Sequence, residues 1–317
     1  MPAHPSTAEP ETGCRPWSRG WCAALACRFE ASAPKPGNVH PAASFPDLTY
    51  EELVAAGTAI APAIERGRAQ PLGRTILDAI AASRQVTRSN ANLGIVLLIA
   101  PLAAVPDDTL ASAERHADAV AALLTGLGPQ DARDVWEAIN LARPGGMGSR
   151  ARLDLSAAPP ESLMDAMRAA AGHDQIARLW ADGFQPLFTG IAGDIETELH
   201  AGRPLGDAIV RGHLRQLARE PDSLIARKHG PTIAAEVSAG AARVLACREN
   251  DWRRAAAEFD RGLRPADGDG RRLNPGTTAD LVAAALYILL VNGTLRSLVG
   301  PAPTLASSIH QHDRDQA

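Results

Sequence analysis

The stretch Leu187-Phe-Thr-Gly-Ile-Ala-Gly-Asp-Ile-Glu-Thr-Glu-Leu199 sets Leu187, Ile191, Ile195 and Leu199 at intervals of four. That spacing stacks apolar side chains along one face of an amphipathic helix. The same pattern returns at Leu281, Ala285, Ile288 and Asn292, and Ile76, Ile80 and Ala81 mark a further helix. Leu93–Ala104 is strongly apolar, and Trp17–Ala33 is an Ala-rich helix that stops at Pro34. Thr49 can N-cap the next helix with Glu52 at the capping-box position, and Gly57, Ile60 and Ile64 lie along one of its faces. No run of alternating Val, Ile and Thr makes a strand. Composition agrees: 45% of the 317 residues are hydrophobic, only 4% are aromatic, and alanine, the strongest helix former, dominates the rest. The expected architecture is all-α, one globular multi-helix domain of about ten or more helices. It should span 17–302, with an irregular stretch around 143–160 and flexible tails at 1–16 and 303–317.

A net charge of -4 argues against nonspecific binding to nucleic acid or anionic lipid. The first sixteen residues contain no apolar segment of a signal peptide, and the longest apolar runs, near Leu93–Val105 and Leu281–Val291, fall short of the ~20 residues of a membrane-spanning helix. The expectation is a cytoplasmic protein with no nucleic-acid or membrane partner. Cys14, Cys22, Cys27 and Cys247 form no C-x-x-C pair and read as reduced, buried or half-exposed thiols. His116 and His213 sit on polar helix faces and are expected to be solvated. His173-Asp174 resembles the metal-binding dyad of HD-type phosphohydrolases, but the further His and Asp ligands it needs are missing, since His116 and His200 lack the flanking pattern, and no Ser or Cys triad signature is present.

Five segments interrupt the helical pattern: Pro34-Lys-Pro-Gly-Asn-Val-His40, Ser89-Asn-Ala-Asn-Leu-Gly94, Arg143-Pro-Gly-Gly-Met-Gly148, Asp222-Ser-Leu-Ile-Ala-Arg-Lys-His-Gly230 and Asn274-Pro-Gly-Thr-Thr-Ala-Asp280. Each joins a permissive Gly or Pro to polar side chains at an expected helix end. Glycine lets the main chain approach a ligand, and helix N-termini offer unpaired N–H groups to anions. Each also has a plain reading: a turn, an Asn cap, a linker, or Asp222 and Thr277 or Thr278 as helix caps. Composition favours a site. Of 32 cationic residues only Lys35 and Lys228 are lysines, and both lie in these segments; so do four of the seven asparagines, Asn38, Asn90, Asn92 and Asn274. A compact ammonium with three rotatable donors is what arginine's planar fork does not imitate.

Glu30 ahead of Pro-Lys-Pro-Gly-Asn-Val, then Asn-Ala-Asn-Leu-Gly, Pro-Gly-Gly, Asp-Ser-Leu-Ile-Ala-Arg-Lys-His-Gly and Asn-Pro-Gly-Thr-Thr-Ala-Asp-Leu, in that order from about residue 22 to 295, resembles the triphosphoribosyl-dephospho-CoA synthase family. The resemblance implies a transferase with ATP and dephospho-CoA as substrates. The acceptor 2'-hydroxyl attacks the ribosyl anomeric carbon of ATP and releases adenine, giving the precursor of an acyl-carrier prosthetic group. Such glycosyl transfer needs a base, a donor for departing adenine, and cations for the triphosphate. Lys35, Arg227 and Lys228 are the candidates to neutralise phosphates. Gly37, Gly145, Gly146 and Gly276 are candidates to supply backbone donors, and Asn38, Asn90 and Asn92 to orient ribose or base. Asp47, Asp222 and Asp280 are the candidate catalytic carboxylates. Mg2+ is expected with ATP, with Asp47 and Asp222 as its candidate ligands. Asp154 and Asp174 also occupy family-like positions.

The chain departs from better-known members in two places. The Pro-Gly-x-Val motif runs into a shorter Ser44-Phe-Pro-Asp-Leu48, leaving Asp47 as the remnant of an Asp-rich stretch, and the usual Asn-Thr-His-x-Gly becomes Asn90-Ala-Asn-Leu-Gly94. These changes leave two alternatives beside the family reaction: a related transferase with another acceptor, and a noncatalytic helical nucleotide binder.

Overall fold

The structure, a computed structural model, describes residues 17–142, 158–264 and 272–295. Both expected tails and most of the 143–160 stretch, with Gly145, Gly146 and Asp154, lie outside the described residues. Within them the chain is all-α: fourteen α-helices of seven residues or more, shorter helical turns, and no strand beyond the isolated bridges His40–Ala43 and Phe45–Leu48. No described helix is long and apolar enough to cross a membrane.

The helix Gly276–Val291 is the axis. Every residue from Thr277 to Val291 except Asp280 is buried, so the apolar spacing seen in the sequence belongs to a helix enclosed on all sides. It packs against Arg19–Ser32, Leu93–Ala104, Leu205–Arg219 and the turn Phe188–Ala192. Alanines at 283, 284 and 285 let these neighbours approach, while Leu286, Tyr287 and Leu290 fill the space between them. Burying each large aliphatic side chain contributes about 1.5–3 kcal/mol. Gly293, at φ +92°, turns the chain away where the helix ends, in a conformation open to glycine.

The apolar helix Leu93–Ala104 lies alongside and carries Pro101, which cannot donate to the Leu97 carbonyl one turn back. Trp180 Nε1 donates to that carbonyl at 3.1 Å. At the helix's end, Nε2–H of His116 donates to Leu102 O at 3.0 Å, and Arg19 donates to Ala103 O. His116 is therefore buried rather than solvated, with its pKa lowered to about 4 by burial. His213 is also fully buried, because Leu205–Arg219 is covered by helices on more than one side. Burial and nearby Lys35 bring its pKa down to about 3.

Other expectations hold with adjusted limits. The first described helix runs Arg19–Ser32. Thr49 and Glu52 form the full capping box of Tyr50–Ala59. Gly57, Ile60 and Ile64 are all buried, although the helix breaks at Ile60; a Cβ on Gly57 would run into Cys27. Cys22 and Cys27 are buried and Cys247 is exposed. The stretch 187–199 keeps Leu187, Ile191 and Ile195 inside but is not one α-helix. It is a π-helical turn, Phe188–Ala192, with Gly190 at φ -88°, ψ -106°, leading into Gly193–His200.

Leu286→Ala, which opens a cavity in the enclosed helix, should cost about 2–5 kcal/mol in urea denaturation with the m-value unchanged.

Candidate active site

Four of the five segments that break the helical pattern, those within the described residues, meet at the N-terminal end of the axial helix. Gly276–Val291 has no side-chain cap of its own. Instead the Asp222 carboxylate reaches its first turn: Oδ2 accepts from Thr278 N at 2.7 Å and Thr278 Oγ1 at 2.8 Å. The other oxygen, Oδ1, caps Ser223–His229 by accepting from Leu224 N at 2.9 Å and Ile225 N at 3.0 Å. One wholly buried carboxylate therefore holds two helix N-termini in register. Burial raises its pKa against the pull of these four donors. Ser223 Oγ adds a 3.1 Å hydrogen bond to Thr277 Oγ1, and Gly276 fits beneath Leu224, whose Cδ2 would lie 2.6 Å from a Cβ there.

The Pro-Lys-Pro-Gly turn docks onto the same place. Asn38 Nδ2 donates to Asn274 Oδ1 at 2.6 Å and to Pro275 O at 3.3 Å. Gly37, at φ +79°, sits where a Cβ would come within 2.7 Å of Leu273 O; its N–H donates to Asp260 Oδ1 at 2.8 Å. Arg264 grips Asp260 and donates to Asn38 O at 2.7 Å. Lys35 is completely buried. Its ammonium lies 2.9 Å from Glu30 Oε1 and also donates to Glu30 O, so its positive charge is directed at Glu30.

The Asn-Ala-Asn-Leu-Gly segment arrives from the other side. Asn90 Oδ1 accepts from Leu93 N at 3.2 Å and caps Leu93–Ala104; Asn92 is buried, with Oδ1 on Ser83 Oγ at 2.7 Å and Nδ2 without a partner among the described residues. A Cβ on Gly94 would collide with Oδ2 of Asp280, so glycine is what lets this helix approach the carboxylate. Asp280 itself receives no hydrogen bond from any described residue. Burial raises its pKa well above the carboxylate range. Glu30, Asp222 and Asp174 push the same way, and Arg227 opposes them.

The cations line the outer edge. Lys228 stands at the surface, and its pKa is lowered by partial burial and by Arg272 and Arg227. Arg227 lies 3.3 Å from Asp174 Oδ2. Asp47 faces Arg272, whose Nη2 donates to it at 3.0 Å, and this pairing holds the carboxyl below its usual pKa. Ser89 Oγ donates to Asp47 O, and His229 Nε2 to Arg272 O at 3.0 Å, so two of the polar segments, Ser89–Gly94 and Asp222–Gly230, reach this edge. The described candidates thus occupy one region with different environments. Asp222 is saturated, Asp47 is ion-paired, Lys35 is internal, and Asp280 and Lys228 remain open.

Sequence reading passed over Arg272, Asp260, Arg264 and Gln175. Gln175 Oε1 accepts from Ser223 N at 3.1 Å, and its backbone N donates to Ser223 Oγ at 3.4 Å. Arg272 stands two residues before Asn274-Pro-Gly and Gln175 directly after Asp174; that adjacency is the signal that could have found them. Among the described residues no group of three His, Cys, Asp or Glu side chains could hold a metal ion.

The fold is all-α, and its family match makes the protein a transferase. The chain belongs to the ATP:dephospho-CoA triphosphoribosyl transferase family, whose sequence pattern it matches over residues 16–297. A crystal structure from Archaeoglobus fulgidus, provisionally designated a triphosphoribosyl-dephospho-CoA synthase, is similar at 26% identity and a TM-score of 0.59. The similarity covers 76% of this chain and 99% of that one. No curated protein matches the chain.

Asp222→Ala should leave Leu224, Ile225 and Thr278 N–H groups without their acceptor and cost about 2–4 kcal/mol by denaturant titration, whereas Thr278→Val should cost about 1 kcal/mol.

Proposed function

We propose that Asp280 is the general base of triphosphoribosyl transfer, with Lys228, Arg227 and Arg272 at the triphosphate and Asn90 and Asn92 at the ribose or base of ATP. The observation that carries this reading is the open carboxylate of Asp280, which receives no hydrogen bond from a described residue and has a strongly raised pKa. A carboxylate of ordinary acidity takes a proton from a ribose hydroxyl poorly, and one with a raised pKa is the stronger base in its ionised form. In the reaction the acceptor 2'-hydroxyl loses its proton to Asp280 as its oxygen bonds to the anomeric carbon. The bond from that carbon to adenine breaks, water protonates the departing nitrogen, and Asp280 then returns its proton to water, so the turnover is neutral in protons. The free Nδ2 of Asn92 is a donor available to the departing base.

Positive charge at the edge suits a triphosphate better than burial would, and Lys228 is the ammonium able to follow it. Lys35 acts from behind by neutralising Glu30, which otherwise would raise Asp280 further. Magnesium entering with ATP would be held chiefly by phosphate oxygens and water. Asp222 has four donors and Asp47 an arginine, which leaves few free carboxylates for it. It would neutralise phosphate charge there. Two nucleotide substrates of central metabolism fit a cytoplasmic enzyme.

Asp280→Asn should lower adenine release from ATP in the presence of dephospho-CoA by about 10²–10⁴-fold with ATP affinity retained. In the parent, activity should fall as pH drops through the raised pKa of Asp280, because the base must be ionised. An unchanged rate in folded Asp280→Asn would remove it from this role. The raised folded pKa also sets a stability sign. The folded state holds the proton more tightly than the unfolded chain, so Asp280 costs stability once pH rises above the ordinary carboxylate value of about 3.9. Asp280→Asn should melt higher than the parent at pH 8, with the two converging in acid. Lys228→Ala should weaken ATP binding about tenfold or more by calorimetry and reduce its salt dependence.

A further inference from the structure

A second cleft, of about 330 Å³, opens beside the carboxylate site, and its walls share three chain segments with it. Gln175 follows Asp174, Leu281 follows Asp280, and Glu220 lies two residues before Asp222; each lines the cleft. The cleft and the carboxylate site are thus neighbours along these three segments.

Three independent features mark this cleft as built for a ligand. Gln175 is only 3% exposed, and its Nε2 has no partner among the described residues although its Oε1 is held by Ser223 N. The held oxygen fixes which end of the amide is free, since exchanging the two would face N–H against N–H. A buried amide donor left unpaired costs about 1–3 kcal/mol, a cost relieved by a ligand carbonyl. The opposite wall is the π-helical turn Phe188–Ala192, where Gly190 leaves helical geometry. Its approach runs through Gly183 and Phe184 at φ +69° and +67°; the second is a buried aromatic residue in a left-handed conformation. A π turn and a non-glycine residue such as Phe184 at positive φ are costly and recur at binding sites.

The lining fits a chain of methylenes and amides. Leu179, Leu187, Ile191 and Leu281 give apolar surface, and Gln175 and Gln216 give amides. The arginines at the rim are already engaged, Arg178 with Glu220 and Arg219 with Asp194, so the cleft offers no unpaired cation to a phosphate. The volume lies at the lower end of small-molecule sites, suited to one arm of a substrate rather than the whole.

We infer that this cleft receives the pantetheine arm of the acceptor, an amide-bearing aliphatic chain, while the acceptor ribose reaches Asp280. The inference rests on the reading of Asp280 as the transfer site. Binding here is remote from the reacting atoms and sets which nucleotide serves as acceptor. A dephospho-CoA molecule gains a held arm, and a nucleoside diphosphate without one does not.

The test uses Thr189→Trp, a substitution at an exposed lining position that puts an indole into the cleft mouth. Adenine release is followed while ATP and dephospho-CoA are varied separately. The expected result is a rise of about tenfold or more in KM for dephospho-CoA with KM for ATP, kcat and melting temperature unchanged, the signature of lost binding shared by ground and transition states. Free pantetheine should inhibit the parent competitively against dephospho-CoA and not against ATP, and Thr189→Trp should escape that inhibition. An unchanged KM for dephospho-CoA in the folded variant, or pantetheine competition against ATP instead, overturns the assignment. Failure of the underlying reading looks different: the parent chain itself would release no adenine with dephospho-CoA, or Asp280→Asn would remain fully active.

Discussion

Asp222 is the pin on which the site turns. A carboxylate has two oxygens and room for about four donors, and here all four are backbone or hydroxyl groups from the first turns of two helices. Without it, Gly276–Val291 would enter the core with unpaired N–H groups at a buried end. The consequence is positional. Asp280, two residues beyond Thr278, is set by the same clamp that places Arg227 and Lys228 on the neighbouring helix, so carboxylate and cations are fixed to one another.

Around that pin the protein concentrates negative charge where it costs most. Glu30, Asp174, Asp222 and Asp280 act on one another across a partly buried space, and one buried ammonium, Lys35, offsets part of it. Removing one member of such a buried pair is far more damaging than replacing both. Strain of this kind concentrates at sites that do chemistry and is offset by the core, here the enclosed axial helix and its apolar neighbours.

Much of the fold was legible because its causes are local. The capping box at Thr49 and Glu52, the stop at Pro34 and the buried run of Leu93–Ala104 depend on residues a few positions apart. What misled was tertiary. His213 and His116 look solvent-facing by their chain neighbours, but helices distant in sequence cover them. Leu187–Leu199 keeps its apolar spacing yet gives way to a π turn at Gly190, a break that periodicity does not register. Five unusual segments were visible as a set, and four of them lie within the described residues and converge. Their division of labour was not visible. Asp222 as clamp and Asp280 as open carboxylate differ through partners such as Thr278 and Gly94, and Asp47 differs through Arg272, 225 residues away.

The scarcity of lysine has a practical corollary. Only two side-chain amines exist in the chain, and Lys35 is sealed from solvent while Lys228 stands at the surface with its pKa lowered. A lowered pKa leaves more of the uncharged amine, the nucleophilic form, at a given pH. Apart from the chain's α-amino group, acylating and aldehyde reagents therefore meet one side-chain amine, at the outer edge of the polar segments. The protein carries a built-in attachment point there, at which a single probe or crosslinker could be placed without engineering a cysteine.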